Sequence, residues 1–296
     1  MNLAFVSFRL KNQLISVISP SWTARKIQTL FITPRRSELK FWEQKGEQQG
    51  ARFDLTNELS AIRWLPTNGV SNGKKILLVH GWESRATQMF ALVPVLLKSG
   101  YEVVAIDQYA HGLSTGAQSH VMEFVNGILE AQKVEDDFEV VIAHSIGATA
   151  SATAISKGLQ TNKLVLIFGP SSVENVLRRF SQLVGLNQRA TNYFVHLMET
   201  LTGTPVKALD TSTLLMKSPI HTLLIHDNKD KEIPVSESER LHQSLDNSEL
   251  VITSGFGHRK ILKSEIVHGK IIEFISHGKT EEAQSVIIAV SGHLDT

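Results

Sequence analysis

Residues 140–152 read VVIAHSIGATASA, and this stretch decides the fold class. Its first four residues are apolar and present no polar face, which is typical of a strand that is buried on both sides. The residues from Gly147 to Ala152 are all small, and small side chains let a helix pack closely against a sheet. The stretch therefore predicts a strand, a tight turn at Ser145 and a helix.

Ser145, in that turn, has two interpretations. A nucleophilic serine must project from the turn, which leaves no room for large side chains two positions to either side. Ala143 and Gly147 meet that condition. Such a serine also needs a histidine base and an acid that orients the histidine. The alternative is that Ser145 only caps the N-terminus of the helix. This stretch alone favours neither interpretation.

Short apolar runs alternate with helical stretches from residue 75 onward. Near-continuous apolar character in short strands indicates a parallel sheet that helices cover on both faces. Upstream, ARFDLTNELSAIRWLP (residues 51–66) predicts two more strands around a turn near Asn57, which form an antiparallel edge. We therefore predict an α/β fold with a doubly wound, mostly parallel sheet of about eight strands. The predicted parallel strands are Lys75–His80, Glu102–Ile106, Glu139–Ala143, Lys163–Phe168, His221–His226 and Ser248–Thr253, and the helices between them include Ala86–Lys98, Val121–Gln132 and Ser236–Leu245.

A long interval between Phe168 and His221 contains no convincing strand. Helical periodicity occurs over Val173–Leu183 and Tyr193–Leu201, and structureless loops of such length are uncommon in compact domains. We therefore expect residues 170–218 to form a helical lid inserted into the core. The other expected units are an N-terminal helical extension at 1–37, a core at 38–169 and 219–276, and a tail at 277–296 whose role the sequence does not indicate.

The composition excludes several classes of protein. The chain has 296 residues, a formal net charge of +1 and no cysteine. The low net charge argues against nucleic acid as the main partner, because no basic excess is present to release counterions. The lack of cysteine excludes disulfides, thiolate metal sites and a cysteine nucleophile, and it is compatible with a reducing compartment. No run approaches the roughly 18 apolar residues that a membrane span needs.

The N-terminal segment MNLAFVSFRLKNQLISVISPSW (residues 1–22) is the candidate for a targeting sequence. Arg9 and Lys11 interrupt its apolar residues, whereas a secretory signal carries its positive charges before them. Apolar residues at helical spacing predict an amphipathic helix instead. We expect this helix to pack on the body of the protein rather than to lie on a membrane, and the protein to be cytoplasmic. The spaced residues are Leu3, Val6, Leu10, Leu14 and Val17.

Residues that carry chemistry follow several of the predicted strands. In an open parallel sheet, ligands bind at the carboxyl ends of the strands, so these positions are the informative ones. LLVHGW (residues 77–82) ends at Trp82, LLIHDNKDKEIP (223–234) supplies three acids, and VITSGFGHRKI (251–261) supplies His258.

Together with the serine turn, these segments resemble the α/β-hydrolase family over about residues 38–276. AHSIG (143–147) resembles the family's nucleophile elbow G-x-S-x-G, with alanine in place of the first glycine. VHGW (79–82) is similar to the strand end that contributes to the family's oxyanion hole. The chain order of serine, acid and histidine is also the order of the family.

Three further motifs extend the resemblance. DQYAHGLS (residues 107–114) is similar to the family's D-x-x-G-H-G-x-S segment, with Ala110 at the first glycine. HDNKDKEIP (226–234) resembles H-G-x-x-D-x-x-V-P, and GFGH (255–258) resembles the G-x-x-H that supplies the base. Five motifs in the right order make the resemblance specific.

The resemblance implies a role for each matching residue. Ser145 would be the nucleophile, His258 the general base and then the general acid, and Asp230 the carboxylate that orients His258. The main-chain N–H groups of Trp82 and Ile146 would form the oxyanion hole. No cofactor is implied.

Two neighbouring acids compete with Asp230 for the orienting role. Asp227 directly follows the strand, at the position where the family pattern has glycine, so the pleat of the strand fixes its direction. Glu232 lies just before Ile233 and Pro234, where the next helix should begin. Asp230 lies in the loop, from which it can turn back toward a histidine at the end of the next strand. We therefore expect Asp230 to be the acid.

Trp82, Arg85 and His111 are candidates to line the substrate pocket, although packing or solvated loop positions explain them equally well. Histidines at the strand ends suggest a metal site only weakly, and we expect them to make hydrogen bonds there and the protein to bind no metal. These histidines are His80, His111, His144 and His226.

We predict a serine hydrolase of the carboxylesterase-like class that acts on a small-molecule ester or thioester through an acyl-enzyme on Ser145. The resemblance disfavours the haloalkane and epoxide branches, because these use a carboxylate where this elbow has serine. Thioester or carbon–carbon cleavage by the same triad, peptidase or acyltransferase activity, and a non-catalytic binding protein with the same fold stay open. The sequence does not indicate an oligomeric state.

Overall fold

A computed structural model describes residues 3–66 and 71–276, so the tail predicted at 277–296 lies outside the described residues. An eight-stranded sheet with the strand order β1-β2-β4-β3-β5-β6-β7-β8 forms its centre. β1 pairs with β2 and β2 with β4 antiparallel, and the remaining pairs are parallel. The strands are β1 (Ala51–Asp54), β2 (Ser60–Trp64), β3 (Lys75–Val79), β4 (Glu102–Ile106), β5 (Phe138–His144), β6 (Thr161–Ile167), β7 (His221–Asp227) and β8 (Ser248–Thr253).

This arrangement confirms the predicted fold class, including the antiparallel edge. Alternate residues of the central strands contact different layers, because successive side chains in a strand point to opposite faces. Ile76 and Leu78 of β3 belong to the apolar cluster on one face, and Leu77 and Val79 belong to the cluster on the other. Burial on both faces is the reason that these strands are apolar throughout.

Twelve α-helices and three 3₁₀ segments are present in the described part of the chain. The helices are α1 (Leu3–Ile18), α2 (Pro20–Ile32), α3 (Phe41–Gln49), α4 (Val93–Lys98), α5 (Val121–Glu135), α6 (Ile146–Ser156), α7 (Val173–Leu183), α8 (Gln188–Thr202), α9 (Thr211–Leu215), α10 (Ser236–Ser244), α11 (Gly257–Lys260) and α12 (Glu265–Ser276). The 3₁₀ segments are Ala86–Leu92, Val206–Leu209 and Ile261–Lys263. Only the second half of the predicted helix Ala86–Lys98 is α-helical, and it begins beside Pro94, which has no N–H to donate to a preceding turn.

Helices α7 and α8 follow β6. They lie in the interval between Phe168 and His221, for which the sequence predicts helices and no strand. The side chain of Asn187 caps α8 by accepting a hydrogen bond from the N–H of Ala190 at 2.9 Å. The helix ends at Gly203, whose φ of 63° is left-handed. The lid function predicted for residues 170–218 stays a prediction.

The N-terminal hairpin, which we define as α1 and α2, packs against α7 and α8, and we call these four helices the cap. One apolar cluster joins the two halves of the cap, although the sequence pattern predicts them as separate units. In α2, Ala24 and Ile27 contribute to this cluster, and in α8, Ala190 and Phe194 do so.

The position of α1 corrects one expectation. The helix does pack on the body of the protein, but through Asn12 and Ser16, which are its buried residues. The Asn12 amide donates to the carbonyl oxygen of Val184 at 2.8 Å, and the Asn187 amide donates to the carbonyl oxygen of Ser16 at 2.8 Å. Because these polar residues face inward, the predicted apolar stripe on the opposite side of α1 faces outward.

Two arginines tie the segment that follows α2 to the core. Arg35 forms a bidentate ion pair with Glu83, whose carboxylate oxygens lie 2.9 and 2.8 Å from its guanidinium nitrogens. The Arg36 guanidinium donates to four main-chain carbonyl oxygens of the DQYAHGLS loop and its continuation. These carbonyl groups belong to Ala110, Gly112, Ser114 and Gly116, at 2.7–3.2 Å.

No helix in residues 3–66 or 71–276 combines the length and the apolarity that crossing a bilayer requires. The predicted cytoplasmic location stays a prediction.

Candidate active site

Ser145 occupies a strained turn between β5 and α6. Its φ of 56° and ψ of −123° lie in a region that non-glycine residues rarely adopt, and such strain often marks functional positions. The turn passes close to the end of β3: a Cβ atom at Gly147 would lie 2.6 Å from the carbonyl oxygen of His80. A Cβ atom at Gly81 would lie 3.0 Å from the Cβ atom of Ser145. Gly147 therefore meets the predicted need for a small residue two positions after the serine, and Gly81 leaves the serine room on the side of β3.

The hydroxyl of Ser145 makes no capping hydrogen bond, although the residue occupies the N-cap position of α6. Its main-chain N–H donates to the carbonyl oxygen of Ile167 at 2.9 Å, which fixes the turn against β6. The N-cap interpretation of this serine thus has no support from its contacts.

His258 and Asp230 meet at the same edge of the sheet, as the sequence predicts. His258 lies in α11, after β8, and its Nδ1 atom lies 2.7 Å from Oδ2 of Asp230. The Asp230 side chain is buried, and its Oδ1 atom accepts hydrogen bonds from the N–H groups of Glu232 and Ile233 at 2.6 and 3.2 Å. Nδ1–H is therefore the donor, and the Nε2 atom of His258 is left to act on a substrate or a serine.

The surroundings of Asp230 keep it ionised. Burial raises the pKa of this carboxyl group, but the hydrogen bond and the charge of His258 lower it, as do the two main-chain donors. The net effect is a pKa below the ordinary value for aspartate. An ionised Asp230 stabilises the protonated form of His258 during a reaction.

Asp227 makes a different set of contacts from Asp230. It is fully buried at the end of β7 and accepts hydrogen bonds from its own loop, from the end of β8 and from the loop that leads from β8 to His258. The donors are the hydroxyl of Thr253 at 2.9 Å and the N–H groups of Lys229, Gly255 and Phe256 at 2.9, 3.2 and 3.0 Å. Asp227 therefore holds the loop that carries the histidine, and Asp230 contacts the histidine itself.

Glu232 lies near the other nitrogen of the same ring. Its Oε2 atom is 3.7 Å from Nε2 of His258, and its side chain is mostly exposed. His226 is four residues before Asp230, and its Nε2 atom lies 3.8 Å from Oδ2 of Asp230. The His226 ring is also hydrogen-bonded to Ser238 and to the carbonyl oxygen of Ile233. His226 therefore makes hydrogen bonds at the strand end, as we expected of these histidines.

His144 supports His258 in a way that the sequence does not reveal. Its Nε2 atom lies 2.8 Å from the carbonyl oxygen of His258, and because a carbonyl group only accepts, His144 is the donor. Burial, together with the neighbouring His258, lowers the pKa of His144 to about 3. The His258 ring also stacks on Phe168, with ring centroids 4.8 Å apart and planes 29° apart. Motif matching did not single out Phe168, because its contribution depends on tertiary packing.

The two main-chain N–H groups expected to form an oxyanion hole have no hydrogen-bond acceptor within the described residues. They belong to Trp82, which follows β3, and to Ile146, at the start of α6. His80 fixes the β3 end beside them: its Nδ1 atom lies 2.7 Å from the carbonyl oxygen of Gly81, and its Nε2 atom accepts from the N–H of Gln108 at 3.0 Å. Burial lowers the pKa of His80 well below the ordinary value, so the ring is neutral.

A chain of aromatic rings connects the strand end to the cap. The Trp82 ring contacts His111 at 4.9 Å and stacks with Phe31 of α2 at 6.2 Å between centroids, with planes 13° apart. Phe31 in turn contacts Phe180 of α7 at 4.8 Å and Phe194 of α8 at 5.5 Å. Phe31 is not identifiable from the sequence, because nothing in its local pattern indicates that α2 packs beside the end of β3.

Arg85 and His111, the other predicted pocket residues, make mainly structural contacts. The Arg85 guanidinium donates to Ser37 and lies 3.5 Å from Glu43 of α3. His111 is buried beneath Trp82, and its Nδ1 atom bonds to the carbonyl oxygen of Tyr109 at 2.9 Å. Burial lowers the pKa of His111 to about 4. His111 thus supports the Trp82 ring from below.

Comparison with known proteins gives matches over most of the chain. A family model described as serine aminopeptidase S33 matches residues 71–208, and one described as a TAP-like protein matches residues 191–286. A serine hydrolase-like protein from Dictyostelium discoideum is 27% identical over 117 residues, which are 38% of this chain and 32% of that protein. The chain thus spans about a third of the length of this curated relative.

Solved structures with the same fold include two esterases at low identity. Est1E from Butyrivibrio proteoclasticus, with ferulic acid bound, has a TM-score of 0.62 at 18% identity, with 77% of this chain and 100% of that chain covered. An esterase from Pyrococcus furiosus has a TM-score of 0.61 at 20% identity, with 83% and 97% covered. With the strand order and the matches to both family models, these likenesses show that the chain belongs to the α/β-hydrolase superfamily.

Proposed function

We propose that this hydrolase cleaves a carboxylic ester through an acyl-enzyme on Ser145. One observation carries the proposal: the buried Asp230 carboxylate accepts a hydrogen bond from Nδ1 of His258 at 2.7 Å, while the hydroxyl of Ser145 caps nothing in its strained turn. A serine hydroxyl is a weak nucleophile, and an oriented histidine is what activates it.

In the acylation step, the Ser145 oxygen attacks the ester carbonyl carbon, and Nε2 of His258 accepts the hydroxyl proton. Asp230 stabilises the imidazolium that results. The oxyanion of the tetrahedral intermediate accepts hydrogen bonds from the N–H groups of Trp82 and Ile146, which are free to donate. The carbon–oxygen bond to the alcohol then breaks, and His258 returns its proton to the leaving alkoxide.

In the deacylation step, water replaces the alcohol. Nε2 of His258 takes a proton from this water as the water attacks the acyl carbon, and the same two N–H groups stabilise the second oxyanion. The bond to Ser145 breaks, the serine oxygen regains the proton, and the carboxylic acid leaves.

The aromatic chain favours an ester with an apolar acyl or alcohol group. Trp82, Phe31 and Phe180 present rings and no charge between the oxyanion strand end and the cap. Such side chains bind apolar groups through buried surface. Because one structure with the same fold holds ferulic acid, aryl-acyl esters belong among the substrates tested.

Peptide hydrolysis is the second candidate function. The serine aminopeptidase family model matches residues 71–208, and the exposed Glu232 carboxylate lies 3.7 Å from Nε2 of His258. A carboxylate in that place suits a substrate that carries an amino group close to the bond that is cleaved.

A panel of p-nitrophenyl esters of graded chain length, aryl-acyl esters, thioesters and aminoacyl p-nitroanilides tests these alternatives. Hydrolysis of esters at rates well above those of the anilides supports the ester proposal. Preferential anilide hydrolysis that a Glu232→Gln variant loses, while ester hydrolysis survives, would favour the peptidase.

A fluorophosphonate probe tests the nucleophile directly. We expect the probe to label Ser145, and Ser145→Ala to lower kcat by about 10⁴-fold or more while it abolishes labelling. Ser156→Ala, at the other end of α6, is the matched control and should be labelled like the unchanged protein. Labelling that persists in Ser145→Ala, or labelling of another residue, would overturn the assignment.

A further inference from the structure

The outward face of α1 is a continuous apolar stripe. Four of the five residues whose helical spacing predicts an amphipathic helix expose most of their side chains, and the fifth, Val6, is partly buried. The exposed fractions are 86% for Leu3, 54% for Leu10, 71% for Leu14 and 74% for Val17, and Ile18 at the end of the helix is 84% exposed. A surface helix of a globular protein normally turns such a stripe toward the core.

The orientation of α1 is fixed by hydrogen bonds at its buried face. Asn12 donates to Val184, and Ser16 accepts from Asn187, as described above. The connection after α7 also approaches the helix closely, because a Cβ atom at Gly185 would lie 2.5 Å from the carbonyl oxygen of Arg9. Rotating α1 to bury the stripe would break these contacts.

Helix α2 carries a second exposed strip. Trp22 and Leu30 are half exposed on the face that also carries Arg25 and Lys26. The Lys26 ammonium group lies 5.4 Å from the centre of the Trp22 ring. Tryptophan together with cationic and exposed apolar side chains is typical of helices that lie in the interface of a membrane.

The charge of the N-terminal segment, residues 1–37, differs in sign from that of the rest of the chain. Residues 1–37 contain six Lys or Arg and no Asp or Glu, so the remaining residues contain 24 basic and 29 acidic side chains. Arg35 and Arg36 bind the core. The other four cations, Arg9, Lys11, Arg25 and Lys26, are exposed and form no ion pair within the described residues.

We infer that the N-terminal hairpin docks on the surface of an anionic lipid bilayer, with the apolar stripe of α1 inserted among the lipids and the four free cations on the phosphate groups. The 16 residues of α1 are fewer than the roughly 20 that span a bilayer, so the helix lies in the plane of the membrane. A second copy of the chain fits the surface less well, because pairing two hairpins brings eight cations together without a carboxylate.

Membrane docking does not depend on the proposed ester hydrolysis. It would, however, place the bilayer near the candidate substrate site. The buried face of α2 carries Phe31, which stacks on Trp82 beside the candidate oxyanion hole. If a bilayer binds the outer face of α2, only the thickness of this helix separates it from the aromatic chain.

Vesicle co-sedimentation of the full chain tests the inference. We expect binding to phosphatidylcholine vesicles that contain about one third phosphatidylglycerol, much weaker binding to phosphatidylcholine alone, and weaker binding in high salt. Leu10→Ser combined with Leu14→Ser should weaken binding by about tenfold or more, because two inserted side chains are lost. Arg25→Gln combined with Lys26→Gln should weaken it on the anionic vesicles only.

Two controls separate docking from folding and from catalysis. Val134→Ser removes an equally exposed apolar residue from α5, far from the hairpin in sequence, and should bind vesicles normally. Ser145→Ala should also bind normally, so a failed function assignment leaves the docking result unaffected. The inference is overturned if the unchanged, folded protein does not sediment with anionic vesicles. It is also overturned if light scattering shows a dimer that the double leucine variant dissociates.

Discussion

The Nε2 atom of His144 lies 2.8 Å from the main-chain carbonyl oxygen of His258, so the residue before the candidate nucleophile holds the loop that carries the candidate base. Serine and histidine come from strands that are not neighbours in the sheet, since β6 and β7 lie between β5 and β8. This one bond connects their loops directly.

His144→Phe should remove the bond while it keeps a ring of similar size. We expect kcat on the best ester to fall by about 10- to 100-fold with little change in KM, because the histidine is misplaced while substrate contacts remain. His144→Gln retains a side-chain N–H donor and should recover part of kcat. The exposed His196 of α8 supplies the control, since His196→Phe should leave kcat unchanged. Equal losses in the Phe and Gln variants would argue against a positioning role for the hydrogen bond.

Asp230→Asn and Asp227→Asn should have different effects. The first removes the carboxylate that contacts His258, and we expect kcat to fall by about 10³- to 10⁴-fold while the protein stays folded. The second replaces an acceptor of four hydrogen bonds with a group that accepts through one oxygen only. It should lower the melting temperature and reduce kcat by about tenfold or less. Steady-state kinetics and thermal unfolding of both variants show which aspartate orients His258. A larger loss of kcat in Asp227→Asn than in Asp230→Asn would assign that role to Asp227.

Stability should decrease as the pH falls below about 6.5. In the unfolded chain a histidine takes up a proton near that pH, whereas burial holds the pKa of His111 at about 4 and that of His144 at about 3. The unfolded state therefore binds more protons across this range, and each buried histidine lowers the free energy of unfolding by up to about 1.4 kcal/mol per pH unit.

Urea unfolding at pH values between about 7 and 5 measures how the free energy of unfolding depends on pH. His111→Phe removes one of the buried histidines. The slope of the unfolding free energy against pH should therefore fall by the equivalent of about one bound proton. His196→Phe, which removes an exposed histidine, should not change the slope. A slope that is the same in the unchanged protein and in His111→Phe would mean that His111 is protonated in the folded state.

Phe31→Ala should change substrate preference without removing the nucleophile. The ring stacks on Trp82 and contacts Phe180 and Phe194, so its loss opens the aromatic chain between the cap and the strand end. We expect KM for long-chain or aryl esters to rise several-fold, while fluorophosphonate labelling of Ser145 continues. Leu30→Ala, one residue earlier on the exposed face of α2, is the control and should leave KM unchanged. Identical KM values in the two variants would exclude Phe31 from substrate binding.

The sheet was predictable from the sequence because its signals are local. β3 and β4 are buried on both faces, so each is apolar along almost its whole length, and composition alone identifies it. The turn at Ser145 was predictable for the same reason, since small residues must surround it wherever the turn lies in the fold.

The direction of α1 and the role of His144 were not predictable in this way. Periodicity identifies an apolar face but not what covers it, and the partners of Asn12 and Ser16 lie more than 170 residues along the chain. His144 bonds to a main-chain oxygen, which any residue at position 258 would supply. No sequence pattern records such a contact.

The cap has a consequence for the order in which the protein is made. α2 ends at Ile32, and α7, which α2 contacts through Phe31, begins at Val173, so ribosomes complete the first half of the cap long before the second. At roughly 5–20 residues per second, synthesis of the intervening chain takes about 7 to 28 s. During that time the inner face of the N-terminal hairpin is without its folded partners. The N-terminal hairpin therefore reaches its final position only after α7 and α8 have been made.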